Sequence, residues 1–229
     1  MDLPADTDSA DDGSVPADAH LSVLELPVAA DGACMAPRSV AAAIEALSTA
    51  LRDPQTRVIV LGLRPQAQDG ASGSVDALHD LLLALWDSDK PIVAALDADT
   101  SGAGLGLALA CDLVVAARGI HLRIDPALLR SGRCAAACWL AGRRLPAAAA
   151  AALAMGWAID SARAHALGLV LELAAPQMAL QQARQIGRRL AQQSPQHLAQ
   201  SKQLLRSCRE QTLAQHLDDE RLRWLRDTA

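Results

Sequence analysis

One stretch constrains the fold more than any other. Lys90 to Ala117 reads KPIVAALDADTSGAGLGLALACDLVVAA. Two of its segments, Pro91 to Leu96 and Asp112 to Ala117, are almost uninterrupted apolar runs of strand length. Runs of this kind predict strands buried on both faces, which is the situation inside a parallel sheet. Between them lie a polar loop, DADTS, and the start of a glycine-rich helix, GAGLGLALAC. Strand, helix and strand in that order indicate an α/β core.

The pattern extends along the chain. Leu21 to Leu26 alternates apolar residues and predicts a strand ending at Pro27. Pro37 opens a helix with Val40, Ile44, Leu47 and Leu51 at helical spacing. Arg57 to Leu61 predicts a second strand, followed by a polar loop from Gly62 to Gly73. Ser74 is then an N-cap for a helix with Leu78, Leu81, Leu82 and Leu85 on one side and His79 towards solvent. Ile120 to Ile124 predicts a further strand. Helices are expected at Arg133–Met155, Ser161–Leu167, Pro176–Gln193, Pro195–Arg206 and Leu213–Arg226, interrupted by one strand at Val170–Leu173. A chain of 229 residues can bury one sizeable core.

Composition excludes several functions. There are four Trp but no Phe or Tyr. Tyrosine acid–base chemistry is therefore absent, as is the aromatic platform on which single-stranded nucleic acids stack. A net charge of −5 also opposes phosphate binding, so nucleic acid is not an expected partner. Residues 1–20 hold six of the 26 acidic residues and no Lys or Arg, so the remainder carries 21 − 20 = +1. We expect this acidic stretch to be a disordered tail. It has neither the basic start nor the apolar run of a signal peptide. The longest uncharged run, Leu145 to Ile159, is broken by Pro146 and Gly156 and falls short of a membrane span, so no membrane association is expected. Five cysteines without CxxC spacing suit a reducing cytoplasm. Cys134 and Cys138 share a helix face near His121, but no fourth ligand follows at recognisable spacing. They read as small buried thiols, not a metal site.

Chemistry is concentrated at the glycine-rich helix start. There the first N–H groups have no partner inside the helix, and small residues let a ligand approach, which favours a developing negative oxygen. A dinucleotide site is a rival, but its third glycine would fall at Leu107 and the turn into the helix is too long. Ser101 as a nucleophile lacks the GxSxG elbow, and helix capping accounts better for its hydroxyl.

This stretch resembles KPVIAAVNGxAxGGGxELALACD of the enoyl-CoA hydratase/isomerase (crotonase) superfamily. RVIVLG at residues 57–62 resembles the family's VRVVVLTG, with Gly70, Ala71 and Ser72 in place of its GxD. IDSARAHALGLV and SPQHLAQSKQLL resemble ISAxxAxxxGLV and SPxALxxxKxLL. Together these motifs cover about residues 21–226. The resemblance implies an α/β, crotonase-like ββα superhelix over 21–175, after the tail at 1–20. It also implies a C-terminal helical region, 176–229, that builds a homotrimer or hexamer. The implied substrate is an acyl thioester carried by coenzyme A or by the phosphopantetheine of an acyl carrier protein, with no separate cofactor. Carried over by position, the enolate oxygen meets the backbone N–H groups of Ala71 and Ala103, flanked by Gly70, Gly102 and Gly104. Arg64 and Lys202 are candidates for a phosphate of the carrier.

Two departures bear on chemistry. The family's hydratases use two glutamates; the first position is Gly106 here. The second aligns with Pro126, in LRIDPALL, leaving Asp125 one residue early as a candidate catalytic carboxylate or an N-cap. The following loop, RSGRCAAACWLAG, is shorter than the family's and lacks its PGxGG. Leu122 replaces a usual Phe, implying an aliphatic acyl pocket, and the neighbouring His121 and Arg123 read as solvated edge-strand residues. Two functions follow: an enolate-stabilising enzyme (hydratase, isomerase or decarboxylase), or a degenerate member that binds thioesters or acts as a scaffold.

Overall fold

The computed structural model describes residues 19–29, 37–66, 74–130 and 134–207, and beyond these only 212, 215 and 217. Most of the acidic stretch and most of the expected last helix lie outside the described residues. Five strands, β1 (Leu21–Ala29), β2 (Val58–Gln66), β3 (Ile92–Leu96), β5 (Leu113–Ala117) and β8 (Glu172–Ala174), form a parallel sheet in the order β1-β2-β3-β5-β8. A small second sheet joins β4 (Thr100–Ser101), β6 (His121–Arg123) and β7 (Ile159–Asp160).

The unbroken apolar runs have the expected cause. Ile59, Leu61, Ile92, Ala94, Leu96, Val114 and Ala116 face one core with α1 (Pro37–Arg52), α2 (Val75–Asp87) and α3 (Gly102–Ala110). Their alternates, Val58, Val60, Val93, Ala95 and Val115, meet Ala179, Ala183 and Ile186 of α8 (Ala179–Ala191). With a period of two, a strand sandwiched by helices has no face left for polar residues.

The remaining helices are α4 (Pro126–Arg130), α5 (Ala137–Arg144), α6 (Ala147–Ala154), α7 (Ser161–Ala166) and α9 (Pro195–Ser207). Several boundaries differ from expectation. β1 runs past Pro27 because it is an edge strand with a partner on one side only, where a missing N–H is tolerated. β2 likewise continues from Gly62 to Gln66, since β1 pairs with it as far as Ala29↔Gln66. The single helix expected over 133–155 is two, because Pro146 holds Leu145 extended (ψ 154°). The last strand and α8 each begin two to three residues later than the sequence suggested.

Candidate active site

Because β2 and β3 are parallel neighbours, with Leu63 opposite Leu96, the loops that leave them emerge at the same edge of the sheet. The loop after β2 contains Gly70 and Ala71, which lie outside the described residues; it ends at Ser74, whose hydroxyl caps α2 by accepting from the Asp76 N–H. The chain after β3 passes through β4 into α3. Gly102 adopts φ +52°, a conformation that favours glycine at this turn. Ala103 follows in the first helical turn, fully buried. Ser101 occupies the N-cap position, yet its side chain makes no cap hydrogen bond, contrary to the sequence reading. The positive end of α3 is thus not satisfied by its own cap residue. Gly104 has a packing reason of its own: an added Cβ would stand 3.3 Å from Thr100 and 3.4 Å from Val28.

One turn along, α3 is crowded. A Cβ built on Gly106 would lie 2.2 Å from the Ala135 carbonyl oxygen and 2.8 Å from that of Cys134. Ala135 and Ala136 both hold positive φ, 43° and 54°, as the chain folds over this glycine. Backbone fills the space into which a side chain at position 106 would extend. Asp125 is close enough to the Cys134 thiol to raise its pKa, although burial and then Cys138 are the larger causes of a value pushed up to about 11. That thiol stays protonated at neutral pH and is neither a thiolate nucleophile nor a ready metal ligand. The Asp125 Oδ1 accepts from the Ala127 N–H at 2.7 Å, capping α4.

The enoyl-CoA hydratase/isomerase family profile matches residues 64–223. The chain belongs to this family. A crystal structure of a Polaromonas enoyl-CoA hydratase superposes with a TM-score of 0.79 at 30% identity, covering 91% of this chain and 88% of that one. A monofunctional enoyl-CoA isomerase from M. smegmatis superposes with a TM-score of 0.73 at 25% identity, over 86% and 93% of the two chains. The 1,2-epoxyphenylacetyl-CoA isomerase of Escherichia coli is 32% identical over 58% of this chain and 51% of its own length. The match thus spans about half of that relative. The architecture above is the crotonase fold: a parallel α/β core followed by C-terminal helices.

Within the enoyl-CoA hydratase/isomerase frame, the other expected residues scatter. Arg64 lies at the site edge, near the end of β2, and pairs with Glu25 at 2.7 Å; both are substantially exposed. Lys202 is on the opposite edge and buried. Its Nζ lies 2.7 Å from the Asp112 carboxylate and donates to the Lys90 carbonyl, so it is committed to holding α9 against the starts of β3 and β5. Asp112 and Lys90 take up two of its three N–H donors, beyond the C-terminal end of α3 and away from the helix start that holds Ala103. His121 and Arg123 are exposed, as expected, and Leu122 between them is buried in the core, but β6 is the central strand of the small sheet, paired with β4 and β7, and not an edge strand. His121 donates its N–H to Asp99, and its Nδ1 lies 3.4 Å from the same carboxylate.

The sequence reading missed Asp112, Asp97 and a cavity. Asp112 accepts from the Ile92 N–H at 2.8 Å as well as from Lys202, which ties β3, β5 and α9 together. The shared KP, CD and K positions of the motifs were the available signal. Asp97 accepts from the Ala179 N–H and fixes the start of α8 to the end of β3. The cavity, about 480 Å³, lies at the N-terminal edge of the sheet between α2, α5, α8, α9 and the C-terminal end of α3, away from Ala103 at the start of that helix. Among the described residues no three His, Cys, Asp or Glu gather as metal ligands would, and no helix is long and apolar enough to cross a membrane.

Proposed function

We propose that this family member binds an acyl thioester and stabilises its enolate oxygen through the backbone N–H of Ala103, with Ala71 as the second donor. The observation that carries this reading is the place of Ala103: buried, in the first turn of a helix whose N-cap hydroxyl does not cap it, on the edge to which the loop after β2 also leads. A preorganised donor of this kind contributes about 2.7–4 kcal/mol to a developing oxyanion. Gly70, Gly102 and Gly104 shape the approach, and coenzyme A or phosphopantetheine arrives as part of the substrate. Arg64 is the basic residue on this edge suited to a carrier phosphate, exchanging Glu25 for it.

The reaction favoured is one that needs little side-chain proton transfer. In decarboxylation of a malonyl-type thioester, loss of CO2 itself delivers the enolate to the hole. Hydration or double-bond isomerisation needs a positioned acid or base, worth roughly 100- to 10,000-fold, and Asp125 is the carboxylate on offer. The second reading, a thioester-binding scaffold without turnover, is favoured by the backbone packed over Gly106.

The test is incubation with enoyl, malonyl and saturated thioesters on both carriers, following product mass and thermal shift. Decarboxylation or isomerisation above buffer supports the enzyme. Stabilisation without turnover supports the scaffold, and neither stabilisation nor turnover overturns both. A homotrimer or hexamer is proposed with either reading. Met155 and Trp157, 74% and 71% exposed, are large apolar side chains that an assembly would cover. Sedimentation should give three or six times the 24.0 kDa chain.

A further inference from the structure

Every residue of α3 from Gly102 to Ala110 is buried, so the helix that carries Ala103 is wrapped by protein on all sides. Two glycines leave flanks of this helix free of side chains. At Gly104, next to Ala103, the flank is bounded by the side chains of Thr100 and Val28, which would stand 3.3 and 3.4 Å from an added Cβ. At Gly106 the space is already taken. The Ala135 carbonyl oxygen lies there, with the Ala135 Cβ and the Cys134 carbonyl oxygen 2.7 and 2.8 Å from where a Cβ would be. Ala103 and Gly106 are three residues apart and share a face of the helix. An acyl chain that follows this face from the Ala103 N–H therefore meets backbone after about 4.5 Å, the rise of three residues.

This backbone is held in place from behind. The Cys134 carbonyl accepts from the Ala137 N–H at 2.8 Å, where α5 begins. Ala137, Leu140 and Ala141 of α5 are buried in the same core as Leu105 and Leu107 of α3. Trp139 of α5 meets Trp86 of α2 edge to face, with ring centroids 5.6 Å apart. Ala135 and Ala136 hold φ of 43° and 54°, left-handed conformations that alanine adopts at a cost and that persist only where the surroundings impose them. A long side chain in this position would swing out of the way of a ligand. Peptide groups fixed to the start of a packed helix move only if α5 moves with them.

We infer that the acyl group of the substrate is short, about two to four carbons, and that the backbone of Cys134 and Ala135 is the wall that ends its pocket. The inference rests on the reading of Ala103 as the thioester's donor and adds to it the size of the acyl group. With C–C bonds of about 1.5 Å, roughly three carbons beyond the carbonyl fill the distance available. A malonyl group falls inside this limit, and a medium-chain acyl group does not.

The phosphopantetheine thioesters of acetate, butyrate, hexanoate and octanoate test this, since that arm is common to both carriers. Affinities are read by displacement of the acetyl form, which sets aside binding elsewhere on the protein. Where an added CH2 finds apolar room, affinity rises about fourfold. We expect butyryl to bind at least as tightly as acetyl, and hexanoyl and octanoyl to bind about tenfold more weakly than butyryl, because their extra methylenes are forced against a packed wall. Ala135→Gly removes the methyl group from that wall and suits the positive φ, so it should tighten hexanoyl binding about fourfold. Ala136→Gly relieves the same backbone strain at an exposed position and should leave the series unchanged. Affinity that holds or rises through octanoyl in the wild type overturns the limit and leaves the thioester reading standing. Identical series in A135G and A136G overturn Ala135 as the wall. If no member, acetyl included, binds more tightly than phosphopantetheine alone, the thioester reading falls and the inference falls with it.

Discussion

Gly106 is where a single residue says most about this site. The Ala135 oxygen would stand 2.2 Å from its Cβ, far inside contact distance, and the obstacle is backbone, which cannot rotate away. Gly106→Ala should therefore cost about 1–3 kcal/mol by overpacking, lowering Tm by roughly 2–4 °C per kcal/mol in a chain of this size. Gly106→Glu should destabilise further and gain no hydration of enoyl thioesters. A stable G106E protein with hydratase turnover would show that the 134–136 segment moves aside. Asp125 poses the complementary question. Asp125→Ala removes the cap of α4 and should cost about 1 kcal/mol, whereas Asp125→Asn keeps an equivalent cap. We expect D125N to match the wild type in thermal melts and in thioester binding; a 100-fold loss of turnover at unchanged Tm would instead assign it proton transfer.

Among the elements, α9 is held by the least expected interaction. Its Lys202 is buried beside Asp112, and burial depresses the ammonium below its ordinary pKa of 10.5 although Asp112 opposes the shift. Between the folded pKa and 10.5 the unfolded chain binds more protons than the folded one. The contribution of Lys202 to stability therefore rises with pH across that window, and below it the cost of burying the charge is present in full. Lys202→Met leaves Asp112 without its cation and should cost about 3 kcal/mol, at the low end for a broken buried pair because Asp112 is 29% exposed. Urea melts from pH 7 to 10.5 should show the gap between wild type and K202M widening in favour of the wild type; a constant gap would mean that the lysine keeps an ordinary pKa. The position of Lys202 in its motif was readable, but its role was not. Sequence order puts Asp112 ninety residues away, and nothing in a helical pattern says which lysine turns inward. The strands β2, β3 and β5 were legible because burial on both faces leaves its mark in composition. The extension of β1 and β2 past Pro27 and Gly62 was not, since pairing with a neighbour, not local propensity, carries it.

For the whole molecule, the decisive question is whether the backbone donors proposed at Ala103 and Ala71 recognise a carbonyl. The motifs place Ala103 at the start of α3, and the parallel order of β2 and β3 brings the Ala71 loop to the same edge. An acyl thioester and the matching thioether, in which CH2 replaces C=O, share the carrier and the chain and differ in the one atom that the hole addresses. A ligand at 100 times its Kd stabilises the folded state by about 2.7 kcal/mol, a rise of roughly 5–11 °C in Tm for this chain length. We expect the thioester to reach that shift and the thioether to fall clearly short of it at equal concentration, because a donor left facing CH2 loses the hydrogen bond it was desolvated to make. Equal shifts would place all recognition in the carrier and leave the N–H of Ala103 without a ligand. A thioester preference retained in G106A, compared at matched distance from its own Tm, would further separate the hole from the crowding one turn along α3.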